Sequence, residues 1–215
     1  MSKSTPTKRK YDSTRRQEQA LETRRQIGES ARSLFIDRGY SGTTIDAIAQ
    51  TAGVASETVY VIFGSKRKIL WYLMDISIGG DDQPINLIDR PEPQAVLHDT
   101  DSLRQIMMFS RGITEILVRA APIFEVLRSA AKTDKEIAVL VQNLLKERLE
   151  NMTMFVQHIA KNSALRVGLD FPMAAELVWT ITSPEVFLLL TQDRGYSNEQ
   201  YTDWLFVTLS RLLLP

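Results

Sequence analysis

A chain of 215 residues, 44% of them hydrophobic and 24% charged, can bury a sizeable core in one or two domains. It has no cysteine and no run of about 18 apolar residues. That excludes disulfides, thiolate metal sites and cysteine nucleophiles, and leaves no segment that reads as a membrane-spanning helix. The net charge of zero hides an asymmetry: residues 1–68 carry 13 Lys and Arg against 7 Asp and Glu, and residues 69–215 carry 13 against 19. A basic N-terminal part suits a polyanionic partner, which the acidic remainder would repel.

The first 21 residues, with Lys3, Lys8, Arg9, Lys10, Arg15 and Arg16, are polar and basic and contain no secretory apolar stretch. They are expected to form a flexible arm, which either touches DNA phosphates or serves as a solubilising tail. A first helix is expected over residues 24–38, with Ile27, Ala31, Leu34 and Phe35 on one face and a glycine stop at Gly39. Thr43 and Asp46 resemble a capping box for the next helix, in which Ile45, Ile48, Ala49 and Ala52 repeat at helical spacing. Gly53 breaks that helix, Val54 plugs the turn, and a short helix follows over residues 55–62. Helix, tight turn, helix is the layout of a DNA-reading helix-turn-helix. Ser65 can cap a fourth helix that opens with Lys66, Arg67 and Lys68 and carries Ile69, Leu70, Leu73 and Met74.

Beyond Gly79, residues 79–101 are rich in Pro and Asp and predict a long connecting loop that packs on the body. Five helices are expected after it, over residues 102–119, 122–132, 134–162, 172–191 and 197–213. Pro122 and Pro172 suit first-turn positions, and Pro184 kinks or splits its helix. The last two segments, with Val178, Trp179, Ile181, Phe187, Leu189, Trp204, Leu205, Val207 and Leu209, are more apolar than one monomer's core requires, which points to a dimer interface.

The segment TIDAIAQTAGVASETVYVIFGSKRK, together with Ala31, Leu34, Phe35, Gly39 and Tyr40 before it, resembles the tetracycline-repressor (TetR) family over residues 24–70. The resemblance implies an all-α fold with three parts: a basic flexible arm over residues 1–21, a helix-turn-helix DNA-binding domain over 22–68, and a helical effector-binding and dimerisation domain over 69–215. It implies a cytoplasmic homodimeric regulator, a repressor released from a palindromic operator in double-stranded DNA by a small-molecule effector. No cofactor, metal or membrane partner is expected.

In the family, positions matching Ser56, Glu57, Thr58 and Val61 face base edges, while Tyr60, Lys66 and Thr44 touch phosphate. Ser56 is also placed to cap its helix, Glu57 to complement the helix dipole, and Thr58 and Tyr60 to pack the small domain. Val61, Ile62 and Asp46 depart from the usual pattern, so base reading would lean on apolar contacts to thymine methyls. The effector pocket is expected among Met107, Met108, Phe109, Arg111, Phe124, Met152, Phe155, His158 and Trp179, with Glu185 as a further polar group; the same residues also suit an ordinary core. Arg111 would fix an anionic ligand or pair with Glu115 on its own helix. The rival readings are a helical enzyme, for which no phosphate loop, nucleophile elbow or zinc motif is present, and a dimeric interaction protein with a vestigial helix-turn-helix.

Overall fold

The computed structural model describes residues 11–215. Among the described residues the secondary structure is helical, without strands. Ten α-helices follow one another in the described residues: α1 Tyr11–Gly42, α2 Ile45–Ala52, α3 Ser56–Phe63, α4 Lys66–Gly79, α5 Pro91–His98, α6 Ser102–Ala130, α7 Lys135–Asn162, α8 Phe171–Ile181, α9 Pro184–Leu188 and α10 Asn198–Leu213. The chain divides into two compact units that part between Leu70 and Trp71.

In the first unit, α1 starts 13 residues before the expected Arg24. The stretch from Tyr11 to Thr23 has no proline or glycine and is built from good helix formers such as Arg, Gln, Glu, Ala and Leu. It is helical without an apolar stripe, so residues 11–21 are not the flexible arm expected there. Lys3, Lys8, Arg9 and Lys10 lie outside the described residues. Gly39, at φ 69°, ψ 173°, kinks α1 near its end. Ile27, Ala31 and Phe35 of α1, Ile48 of α2, Val59 of α3 and Ile69 of α4 are fully buried and form this unit's core.

The expected capping box is not formed. Thr44 is the N-cap of α2, its hydroxyl oxygen accepting from the Ala47 N–H at 3.1 Å. Thr43 is fully buried, and its hydroxyl meets the carbonyls of Leu34 (3.0 Å) and Gly39 (2.9 Å). The threonine before the cap thus stitches α2 to the end of α1.

In the second unit, the expected loop over residues 79–101 contains a 3-10 turn, Leu87–Asp89, and the helix α5. Pro91 occupies the first turn of α5, where a missing N–H costs nothing. The two helices expected over 102–132 are one, α6, with Pro122 inside it. Its ring removes a single helical bond, to the carbonyl of the half-exposed Val118, where solvent can replace it. The segment after residue 171 breaks as expected at Pro184 and then winds into a π-turn, Leu189–Asp193.

The core of this unit joins Ile106, Ile113 and Leu117 of α6, Phe155, Val156 and Ile159 of α7, Val178 of α8 and Phe187 of α9. From α10 it takes Tyr201, Leu205, Leu209 and Leu213, all at 0% exposure on one i, i+4 stripe. Each such leucine contributes roughly 1.5–3 kcal/mol by leaving water. The apolar residues expected at a dimer interface therefore split: Val178, Phe187, Leu205 and Leu209 are internal, while Leu189 and Val207 remain exposed.

Candidate nucleic-acid interface and cavity

The turn between α2 and α3 is built on Gly53, whose φ of 67° and ψ of 29° place it in the left-handed region. Its N–H and that of Val54 satisfy the last carbonyls of α2, at Gln50 (3.2 Å) and Ala49 (3.0 Å). Val59 and Phe63 anchor α3 in the core. The helix then presents Ser56 with Tyr60, and Glu57 with Val61, as two i, i+4 pairs away from it. Tyr60 is 54% exposed and Val61 86%. An apolar side chain so bare, on a helix otherwise seated in a core, is available to a partner surface. Thr58 is half-buried.

Three of the expected DNA contacts have partners within the protein. Thr44 uses its oxygen as the α2 cap and keeps its hydroxyl proton to donate. Ser56 does not cap α3: the N-cap is Ala55, without a side-chain bond, and the Ser56 hydroxyl donates to Asp46 Oδ1 at 2.6 Å. Lys66 Nζ donates to the carbonyls of Tyr40 (2.6 Å) and Thr43 (2.7 Å) and lies 4.2 Å from the centre of the Tyr40 ring. Burial lowers the Lys66 pKa. An ammonium has three donors, so one remains, but the main work of Lys66 here is to close the α1–α2 corner. Ser65 supplies the cap of α4, accepting from the Lys68 N–H at 3.2 Å.

The second unit encloses a cavity of about 330 Å³, the size of a small-molecule site. One wall is a face of α4: Trp71, Met74, Asp75 and Ile78, at i, i+3, i+4 and i+7. Ile113, Leu117, Ala120 and Phe124 of α6 form the second wall, and Leu144, Arg148, Asn151 and Met152 of α7 the third. Asp81, the residues from Gln83 to Leu87, and Arg90 also line it, as does Pro184. Arg90 holds that segment by a bidentate pair to Asp81, Nη1–Oδ2 3.0 Å and Nη2–Oδ1 2.8 Å. This bond keeps the Asp81 carboxyl near pKa 2.

Of the residues expected at an effector pocket, Phe124 and Met152 line this cavity. The others lie elsewhere. Phe155 is buried and stacks on Phe109, ring centres 3.9 Å apart. Met108 packs on the same core, and Met107 is exposed. Arg111 borders a polar surface groove with Glu115 and Asn198. His158 Nδ1 sits 2.9 Å from the Met154 carbonyl, one turn back along α7. Trp179 Nε1 donates to the Leu145 carbonyl at 3.4 Å. Glu185 pairs with Arg128 at 2.9 Å.

Arg148 was not foreseen. The sequence does hold a signal for it: Leu144, Arg148 and Met152 follow at i, i+4 and i+8, a lone charge in an apolar stripe. The break after α8 explains its position. The Ser183 N–H turns back to the Thr180 carbonyl at 3.2 Å, which leaves the Trp179 carbonyl without its helical partner. Arg148 Nη2 donates to that carbonyl and to Thr182 Oγ1 at 2.8 Å, while the guanidinium stacks 5.1 Å from the Trp179 ring. Nη1 is buried and has no hydrogen-bond partner. Burial pulls the Arg148 pKa down to about 10, which leaves it charged at neutral pH.

Residues 27–72 match the family model described as bacterial regulatory proteins, tetR family. Over 199 residues the chain is 25% identical to the HTH-type transcriptional regulator AcrR of Shigella flexneri, covering 90% of this chain and 83% of that one. A 61-residue stretch is 41% identical to the HTH-type transcriptional regulator TtgR of Pseudomonas putida, covering 28% of this chain and 29% of that protein. In fold, the chain is similar to the transcriptional regulator FadR from Bacillus subtilis in complex with stearoyl-CoA, with a TM-score of 0.68 at 20% identity over 86% of this chain and 96% of that one. Residues 27–72, with the helix-turn-helix at α2 and α3, thus form a DNA-binding domain of the type described for the tetR family of bacterial regulatory proteins.

Proposed function

We propose that the protein is a homodimeric repressor that leaves a palindromic operator when a small molecule fills the cavity of its second unit. The observation that carries this reading is the pairing of an exposed recognition helix with an apolar cavity in one chain. The helix α4 takes part in both: Lys66 closes the α1–α2 corner, and Trp71, Met74 and Ile78 of the same helix line the cavity. The similar Bacillus subtilis regulator was solved with stearoyl-CoA, so a protein of this fold takes a ligand with a long acyl chain.

On DNA, Tyr60 and Thr44 would donate to phosphates, and Ser56, Glu57, Thr58 and Val61 would meet base edges, Val61 by contact with a thymine methyl. The exposed Leu189 and Val207 with the half-buried Trp204 would form the dimer face, which places two recognition helices on one twofold-symmetric site. A ligand that binds the DNA-free form better lowers operator affinity by that difference in binding free energy.

Selection from a random duplex pool, followed by binding of the winner at two salt concentrations, tests the reading. A palindrome bound with a steep salt slope, and weakened in Tyr60→Phe and Val61→Ala, supports it. Recovery of no sequence overturns it.

A further inference from the structure

We infer that the cavity takes an apolar acid, a hydrocarbon or aromatic body with a single anionic head group, and that Arg148 holds the head group. This rests on the reading of the cavity as the effector site and adds the ligand's chemistry.

The first ground is an unbalanced charge. A largely enclosed guanidinium needs a counter-charge or a full set of acceptors. Arg148 has two acceptors on Nη2 and none on Nη1. Among the described residues no carboxylate pairs with it. Glu185, whose charge reaches it, is bonded to Arg128 instead. The cavity is the space that Arg148 borders, and an acid entering there supplies the missing counter-charge. Asn151, three residues on along α7 and also in the wall, offers an amide donor to a second head-group oxygen.

The second ground is the rest of the lining. Trp71, Met74, Ile113, Leu117, Phe124 and Met152 are apolar and suit a hydrocarbon or aromatic body. The other cation of the lining, Arg90, is neutralised by Asp81. Asp75 and Glu147 also border the cavity and would repel a ligand carrying several negative charges, which favours one head group over a polyanion.

Calorimetric titration of the full-length protein with decanoate and with decanol, which share a chain and differ in charge, tests this. Decanoate should bind ~10- to 100-fold more tightly than decanol, the range of a charge-assisted hydrogen bond. Arg148→Met should abolish that preference, read as the ratio of the two affinities within the variant, and Arg148→Lys should keep part of it. Ile116 also lines the α6 wall; Ile116→Trp, which fills the cavity, should weaken both probes alike, and this fixes where they bind. Equal affinity of the wild type for the two probes overturns the inference and leaves the cavity reading intact. So does a preference that survives in Arg148→Met. If neither probe binds the wild type, the cavity reading falls and the inference with it. The wild-type comparison needs no variant, so it stands even if Arg148→Met folds poorly.

Discussion

The Ser56 hydroxyl donates to Asp46 Oδ1 across 2.6 Å, joining the recognition helix α3 to α2 ten residues earlier. The serine proposed to face bases is thereby fixed in one rotamer with its acceptor lone pairs left open, and a carboxylate stands beside it on the surface proposed to meet DNA. Asp46→Ala removes both the tether and the charge. It should raise affinity for a random duplex at low salt about fivefold, equivalent to ~1 kcal/mol of relieved repulsion. The ratio of operator to random binding should fall at the same time. Fluorescence anisotropy with both duplexes measures the two effects, and an unchanged ratio would show that Ser56 reads nothing.

The Asp81–Arg90 pair gives the second unit a pH signature. Asp81 titrates near 2 in the folded protein against an ordinary 3.8, through the Arg90 bond first and the Gln83 N–H second. A depressed carboxylate pKa stabilises fully above 3.8, and that contribution is lost as pH falls from 3.8 towards 2. Thermal midpoints of wild type and Asp81→Asn should therefore differ above about pH 4 and converge by about pH 2. Parallel curves across that range would mean the pair contributes nothing to folding. Gly79→Ala should mimic Asp81→Asn, because a Cβ there lies 2.8 Å from Arg90 Nη2 and pushes it off the carboxylate.

Tyr201 is fully buried between Phe187 and Trp204, and its hydroxyl has no hydrogen-bond partner. Burial pushes its pKa up, so the phenol stays neutral. An unsatisfied buried hydroxyl costs about 1–3 kcal/mol. Tyr201→Phe keeps the ring packing and should be neutral or stabilising by up to ~1 kcal/mol in urea unfolding. A loss beyond about 1 kcal/mol would reveal a partner for the hydroxyl.

Val207 is 44% exposed on α10, on the side away from the buried Leu205 and Leu209. If two chains meet there, Val207→Glu places two like charges at the twofold axis. Sedimentation equilibrium should show a shift to monomer, with operator affinity falling at least about tenfold while the helical content by circular dichroism stays unchanged. A variant that remains dimeric removes α10 from the interface.

How much of this was legible in the sequence depends on whether a residue's role is local. Ile48, Ala49 and Ala52 repeat at helical spacing and Gly53 follows them, so the helix-turn-helix could be read directly. The N-terminal turns of α1 could not, since they are held by propensity alone and have no apolar stripe for a periodicity to reveal. Pro91 and Pro93 made α5 look like loop, although Pro91 sits where a helix tolerates proline. The cavity was misplaced for a different reason. Met107, Met108 and Phe155 suit a pocket by residue type, but which side of α6 and α7 faces empty space is decided by α4 and by the Asp81–Arg90 strap, and no local pattern in α6 encodes that. The lone charge at Arg148 in an apolar stripe was the one local mark of the cavity.

Arg148 also closes the end of α8, where the chain breaks before Pro184 and the Trp179 carbonyl would otherwise go unmet. Wall and cap are one side chain, so filling the cavity and fraying the last turn of α8 are linked equilibria. A guest that draws the guanidinium away must bear the cost of an orphaned carbonyl, and a guest that braces it where it lies stiffens α8. By reciprocity, any change that loosens the end of α8 shifts affinity at the cavity by the same free energy. Hydrogen exchange at Thr182 and Ser183, followed as the cavity fills, would give the sign of that coupling.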